Sequence, residues 1–203
     1  GDIFNEGIIR TGQDGNIILI APNIENSGII QTDGGKIVLA AGQELILTSL
    51  DDPQIRFQVQ APANDVLNLG QVLTQGGAID LFAGTITHSG EINTEHLTLD
   101  ASGNITFTAL DDITLAADSI TSSNNQQGVA GSITIDTHNT AVDNHATVYL
   151  SGNVSAEGQS GGQITINADS VLAEADISVD AEQTAGTIDI HANHRILVTQ
   201  NAD

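Results

Sequence analysis

A repeat of about 21 residues constrains the fold of this chain more than any other feature of its sequence. The segment NEGIIRTGQDGNIILIA begins at Asn5, and it realigns as NSGIIQTDGGKIVLAAG from Asn26 and as NLGQVLTQGGAIDLFAG from Asn68. The second and third copies are therefore two repeat lengths apart, so we expect a divergent unit between them. Repeats of this length are typical of solenoids, in which each unit buries its apolar side chains against its neighbours.

Within the units, apolar residues alternate with polar ones. This alternation predicts short β-strands that are buried on one face, and the threonines between the apolar residues favour strands as well. The pairs that show the pattern are Ile37/Leu39, Ile79/Leu81, Leu97/Leu99, Ile105/Phe107, Ile113/Leu115, Ile133/Ile135, Ile164/Ile166 and Ile188/Ile190.

Short strands separated by frequent turns predict an all-β fold, a single-stranded parallel β-helix with about three strands in each coil of roughly 21–24 residues. About nine coils fit the chain. We expect residues 1–203 to form one continuous β-helix, with regular coils over 1–118 and looser coils with longer loops over 119–203. An antiparallel β-sandwich also has short strands, but it does not require the repeat, and the dense leucine consensus of a leucine-rich repeat is missing.

Each of the three copies opens with an asparagine that is followed two residues later by a glycine. We expect both to lie at corners, where asparagine tolerates the left-handed conformation and bonds along a column, and where glycine supplies a positive φ. The residues concerned are Asn5, Asn26 and Asn68, and Gly7, Gly28 and Gly70.

The charge balance limits the partners of the chain. It has 4 Lys and Arg residues against 26 Asp and Glu residues, a formal net charge of −22. Nucleic acids and anionic membrane surfaces are excluded as partners, because both are bound through clustered cations.

No apolar run approaches the roughly 20 residues of a membrane helix, so we expect no membrane insertion. Cysteine is absent, which removes disulfides and thiolate metal sites.

The repeats resemble those of the filamentous haemagglutinin family, the secreted exoproteins of two-partner secretion. The resemblance rests on APNIENSGIIQTDGGKIVLAAGQELILTS (Ala21–Ser49) and VLNLGQVLTQGGAIDLFAGTITHSGEI (Val66–Ile92), where N-x-G-x-I alternates with GG-x-I-x-L-x-A-G. Later units such as GGQITINADSVL from Gly161 are similar to the looser repeats of large members.

This resemblance implies a right-handed β-helix and export through an outer-membrane two-partner transporter. It also implies a location on the outer surface of a Gram-negative cell and adhesion to a glycan or protein of a host or neighbouring cell. The secretion signature of the family is not recognisable in these residues. We therefore expect a rod segment of a longer exoprotein that displays binding loops away from the cell, with end-to-end stacking as a further expectation.

A β-helix enzyme that binds or degrades polysaccharides is the alternative function. Such a site needs clustered carboxylates, a cation and exposed aromatic platforms. The chain has one Tyr, four Phe and no Trp, and Phe57, Phe82 and Phe107 fall at inward strand positions, where we expect core packing. No G-x-S-x-G motif is present. We therefore predict no enzymatic activity and assign no catalytic or cofactor-binding residue.

Two pairs of carboxylates each follow a T-x-L tripeptide and are candidates for binding calcium through oxygen ligands. They are Asp51–Asp52 and Asp111–Asp112, and Arg56 is the nearby cation. No calcium-loop motif accompanies them, so solvated acidic turns are the favoured interpretation and no metal site is assigned.

The remaining candidates are histidines that could bind a metal ion and loops that could bind a partner. His191 and His194 have a spacing that superficially suggests metal ligands, but we expect them in a turn, as we do His138 and His145 beside a predicted insertion. The loops most suited to binding are Ser122–Gly128 and the insertion Asp143–Tyr149, because loops carry function on repeat scaffolds.

Overall fold

The computed structural model describes residues 1–42, 64–99, 102–137 and 145–199, and every regular element in these ranges is a β-strand. Within the same ranges no helix has the length and apolar character needed to cross a membrane. Residues outside the ranges include three of the predicted site residues, Asp51, Asp52 and Arg56, as well as Phe57 and His138.

The described strands are short, except for β20 with 11 residues and β23 with 12 residues. The first three coils contain β1 (Ile3–Asn5), β2 (Ile8–Gln13), β3 (Ile17–Ala21), β4 (Ile24–Asn26), β5 (Ile29–Asp33), β6 (Lys36–Ala41), β7 (Asp65–Asn68), β8 (Gln71–Thr74) and β9 (Ala78–Ala83). The next two contain β10 (Thr85–His88), β11 (Glu91–Asn93), β12 (Asn104–Ala109), β13 (Ile113–Leu115), β14 (Ile120–Ser122), β15 (Asn125–Val129) and β16 (Ser132–Thr137). The last part contains β17 (Thr147–Leu150), β18 (Asn153–Ser155), β19 (Gly158–Ser160), β20 (Gln163–Ala173), β21 (Ile177–Ser178), β22 (Ala181–Thr184) and β23 (Thr187–Val198).

All pairings between these strands are parallel, and they define three faces and a small further sheet of β15, β19 and β22. Face A contains β1, β4, β7, β10, β13 and β17, face B contains β2, β5, β8, β11, β14, β18 and β21, and face C contains β3, β6, β9, β12 and β16. The long strand β20 pairs with β16 through its first half and with β17 through its second half, so it joins face C to face A. The predicted parallel β-helix is confirmed.

The described strands form seven coils, and the second half of β23 begins an eighth. We expected about nine coils, and the difference arises mainly at the predicted divergent unit. Ile24 pairs directly with Val66, and Ile37 pairs directly with Ile79. The coils on either side of residues 43–63 are therefore adjacent, and no coil is inserted between them.

Aliphatic columns form the core, as the alternating pattern predicts. In one column of face C, Ile37, Ile79, Ile105, Ile133 and Ile164 follow one another in register, and each has no exposed surface. Identical side chains occupy equivalent positions in successive coils and pack against one another along the column. A mutation at one position therefore affects the packing of its neighbours above and below.

Three apolar residues do not lie where the alternation places them. One of them is Phe82, which is only half-buried because it lies between the inward residues of β9. Phe107, in contrast, is fully buried between Leu81 and Ile135 as expected. Leu97 and Leu99 are 69% and 82% exposed and lie outside the strands. The connection from β11 to β12 therefore has the sequence pattern of a strand without its structure.

Contrary to our expectation, Gly7, Gly28 and Gly70 do not have a positive φ. Among the described residues, positive φ occurs at Asp14, Gly34 and Gly76. A Cβ atom on Gly28 would instead overlap the carbonyl oxygen of Gly7 in the coil before it. The same overlap recurs for Gly70 on Gly28, and a second column shows it at Gly35, Gly77, Gly103, Gly131, Gly162 and Gly186. Glycine is required because the backbones of adjacent coils meet there.

This close approach predicts a large difference between two glycine-to-alanine variants. Gly103→Ala should lower the free energy of unfolding by about 1–3 kcal/mol, because its Cβ would overlap the carbonyl oxygen of Gly77. Gly12→Ala is the matched control, because no atom lies within 4 Å of an added Cβ there. Urea denaturation measures both effects, and two variants of equal stability would contradict the close approach.

Candidate functional site

A column of buried asparagines lies where face A meets face B. Asn5, Asn26 and Asn68 end β1, β4 and β7 in register. The Nδ2 atom of Asn5 donates to Oδ1 of Asn26, and that of Asn26 donates to Oδ1 of Asn68, both over 2.7 Å. The predicted bonding along a column is confirmed, but these residues are in strands and not in the left-handed conformation.

His88 continues this column in the fourth coil. It pairs in register with Asn68, and its Nδ1 atom lies 3.1 Å from Nδ2 of Asn68. Since the amide nitrogen is a donor, Nδ1 must accept, and the proton of the neutral ring is then on Nε2. That nitrogen lies 3.2 Å from the carbonyl oxygen of Ile120, to which it donates.

The environment of His88 favours its neutral form. The residue has no exposed surface, and this burial is the main cause that lowers its pKa below the ordinary value of 6.5, against the smaller opposing effects of backbone hydrogen bonds with Ile120 and Asn68 and of the charge of Asp118. A second proton, on Nδ1, would also meet the donor of Asn68 and break the column. The column therefore ends in a group whose protonation would disrupt it.

A cleft of about 620 Å³ runs beside the small sheet that β15, β19 and β22 form. Its lining includes the carboxylates of Glu95, Glu157, Asp180 and Glu182. The described residues that line it include no arginine, lysine, histidine or aromatic residue. The cleft thus provides the carboxylates of a polysaccharide-cleaving site, but not the cation or the aromatic platform that we expected of such a site.

Most of the predicted binding loop Ser122–Gly128 forms strand beside this cleft. Ser122 ends β14, and β15 begins at Asn125. Asn124, between them, accepts a hydrogen bond from the backbone nitrogen of Glu157 in the next coil over 2.7 Å. The segment is therefore not a projecting loop, because its backbone and side chains are used in joining adjacent coils.

The second predicted loop, Asp143–Tyr149, is also partly strand. Its residues from Thr147 belong to β17, where Val148 is fully buried and Tyr149 points outward. Of the calcium candidates, Asp112 accepts a hydrogen bond from the backbone nitrogen of Thr147 over 2.7 Å, which gives that carboxylate a structural role. The other described candidate, Asp111, is half-buried beside it.

The histidines near the end of the chain lie in a strand, not in the turn that we expected. His191 and His194 are both in β23, and His194 approaches His145 and Asp169 from two other coils. One atom of each of these three residues lies within 4.8 Å of the others. The sequence spacing of 24 and 25 residues is close to the local coil length, and this was the signal that could have revealed the group.

Neither a protein-family model nor a curated protein sequence matches this chain. A solved structure that does match is the crystal structure of the HMW1 secretion domain from Haemophilus influenzae, with a TM-score of 0.82 and 23% sequence identity over 100% of this chain. This chain spans 64% of the length of that structure. At this identity the similarity establishes the shared β-helical fold. The matching structure is that of a secretion domain.

The buried imidazole predicts a specific pH dependence of stability. Because the folded-state pKa of His88 is lowered, the unfolded chain binds a proton in the window below the ordinary pKa of 6.5 in which the folded chain does not. The free energy of unfolding is therefore highest above this window and falls as the pH falls through it. The variant His88→Asn keeps an amide in the column and removes this proton uptake.

Urea denaturation of both proteins at about pH 7.5 and 5.5 tests the prediction. The parent should lose more stability than His88→Asn between the two pH values, by up to about 1.4 kcal/mol. Comparing the pH-dependent losses removes the contribution of the other histidines. Equal losses in the two proteins would show that folding does not lower the pKa of His88.

Proposed function

We propose that this chain is a secretion domain, the part of a cell-surface exoprotein that an outer-membrane transporter of the two-partner pathway recognises during export. The observation that carries the proposal is the similarity to the HMW1 secretion domain, which extends over 100% of this chain. The sequence resemblance to filamentous haemagglutinin repeats supports an origin in a two-partner exoprotein, but it does not distinguish the secretion domain of such a protein from its rod. The expectation of a rod segment that displays binding loops stays a prediction beside this proposal.

The physical chemistry of the chain suits passage through a membrane in an unfolded state. The sequence contains no cysteine, so no disulfide can lock the chain into a folded form in an oxidising compartment before export. Each described coil bonds to the coils beside it. A solenoid of this kind can nucleate locally and propagate from coil to coil, which allows it to fold as it emerges.

The net charge of the chain favours separate copies over self-association. A net charge of −22 on 203 residues keeps the copies of the chain apart by mutual repulsion. The cations are few, and Lys36 is paired with Asp80 over 2.6 Å on the neighbouring coil. Adhesion to a glycan or protein of another cell stays a prediction from the sequence resemblance, and end-to-end stacking through the terminal coils stays a prediction as well.

Export can be measured directly in a Gram-negative host. The chain is placed behind a signal peptide for the inner membrane and produced with and without the two-partner transporter that is encoded with its exoprotein. We expect the chain in the medium when the transporter is present and in the periplasm when it is absent.

A folded periplasmic protein of similar size, behind the same signal peptide, is the matched control and should stay in the periplasm in both strains. Retention of the chain in the periplasm in the presence of the transporter, with the transporter shown to be in the outer membrane, would contradict the proposal. Release without the transporter would contradict it as well.

A further inference from the structure

We propose that His145, Asp169 and His194 form a binding site for one divalent transition-metal ion of the zinc type, which clips together the last three coils. This inference does not rest on the proposed export function. Each ligand comes from a different coil: His145 lies two residues before the start of β17, Asp169 lies within β20, and His194 lies within β23.

The register of the strands explains why the three side chains meet. Thr147, Ser170 and Arg195 are aligned on adjacent coils. Asp169 and His194 directly precede the last two, and His145 lies two residues before Thr147, so all three lie near the corner between face C and face A. The register shifts between Ala168 and Ser170, because β23 has one more residue there than β20. A bulge of this kind re-aims side chains, and here it brings both Asn193 and His194 towards Asp169.

The geometry of the group is close to that of a metal site. The rings of His145 and His194 meet edge to face, with centroids 4.5 Å apart and an interplanar angle of 78°. The Nδ1 atom of His194 lies 3.9 Å from Oδ1 of Asp169. Ligand atoms around a tetrahedral zinc ion are about 3.4 Å apart, given bonds of about 2.0–2.1 Å. Since the side chain of His194 is 55% exposed, it has room to rotate and close the difference.

A neighbouring side chain holds the carboxylate in position. Asn193 donates a hydrogen bond from Nδ2 to Oδ1 of Asp169 over 2.8 Å, and the side chain of Asp169 is only 16% exposed. Hydrogen bonds of this type orient metal-binding carboxylates. Asp169 is therefore the fixed ligand, and the two exposed imidazoles are the ligands that adjust.

The ligand chemistry selects the class of metal. Two imidazoles and one carboxylate suit zinc and the later divalent metals of the first transition row, whereas calcium and magnesium prefer oxygen ligands. Three protein ligands leave a fourth position for water or for a group from outside the chain. The site thus differs in position and in ligand type from the calcium candidates Asp111 and Asp112.

Binding to a folded site of this kind stabilises the coils that provide the ligands. The strand β23 is the region that gains most, because its outer residues Ile196, Leu197 and Val198 are 44–57% exposed and its contacts are made to one side, with β20. Zinc should therefore slow backbone hydrogen exchange in β23 more than in the strands of the first coils.

Titration calorimetry of zinc chloride into the full chain, prepared without a polyhistidine tag, tests the site. We expect one zinc ion per chain with a dissociation constant of roughly 10 µM or tighter, and no binding of calcium chloride at the same concentrations. The variants His145→Gln and His194→Gln should each bind zinc at least about tenfold more weakly. Both residues are exposed, so the variants should fold as the parent does, which circular dichroism checks.

The control variant is His191→Gln, because His191 lies in the same strand β23, is exposed, and is outside the group. It should bind zinc like the parent chain. The proposal is overturned if the parent shows no zinc binding below about 1 mM, if His194→Gln binds zinc as tightly as the parent, or if His191→Gln weakens binding as much as His194→Gln does.

Discussion

Parallel backbone hydrogen bonds between adjacent coils are the interaction on which the rest of this structure depends. They fix the register, so that Ile37 lies between Ile17 and Ile79 and Asn26 lies between Asn5 and Asn68. They also bring the backbones so close at two columns that glycine is required there. Every polar or apolar residue at an inward position therefore has to suit the coils above and below it.

This constraint also shapes the chemistry that the protein can offer. Equivalent positions lie about 4.8 Å apart along the axis, so functional groups arise where residues of adjacent coils match. The asparagine column that ends in His88 is one such group, and the His145, Asp169 and His194 group is another. The absence of cysteine and the bonding between neighbouring coils suit an exported chain that folds after transport.

The sequence predicts the fold well because the repeat and the alternation both reflect the stacking. It places the core isoleucines and the bonded asparagines correctly. It fails where local pattern and tertiary context differ: Leu97 and Leu99 alternate like a strand but are exposed, and Ser122–Gly128 has loop composition but lies mostly in strands. The metal-binding group was missed because its residues are far apart in sequence and meet through a bulge.

Disulfide formation between introduced cysteines tests the central claim most directly, since the parent chain has no cysteine. Glu25 and Leu67 are register partners on adjacent coils, and parallel neighbours about 4.8 Å apart are within the Cα separation of a disulfide. The double variant Glu25→Cys/Leu67→Cys should oxidise readily to a disulfide. Phe4→Cys/Leu67→Cys, whose residues are two coils apart, should not. Efficient oxidation of the second pair but not the first would contradict direct stacking of the coils on either side of residues 43–63.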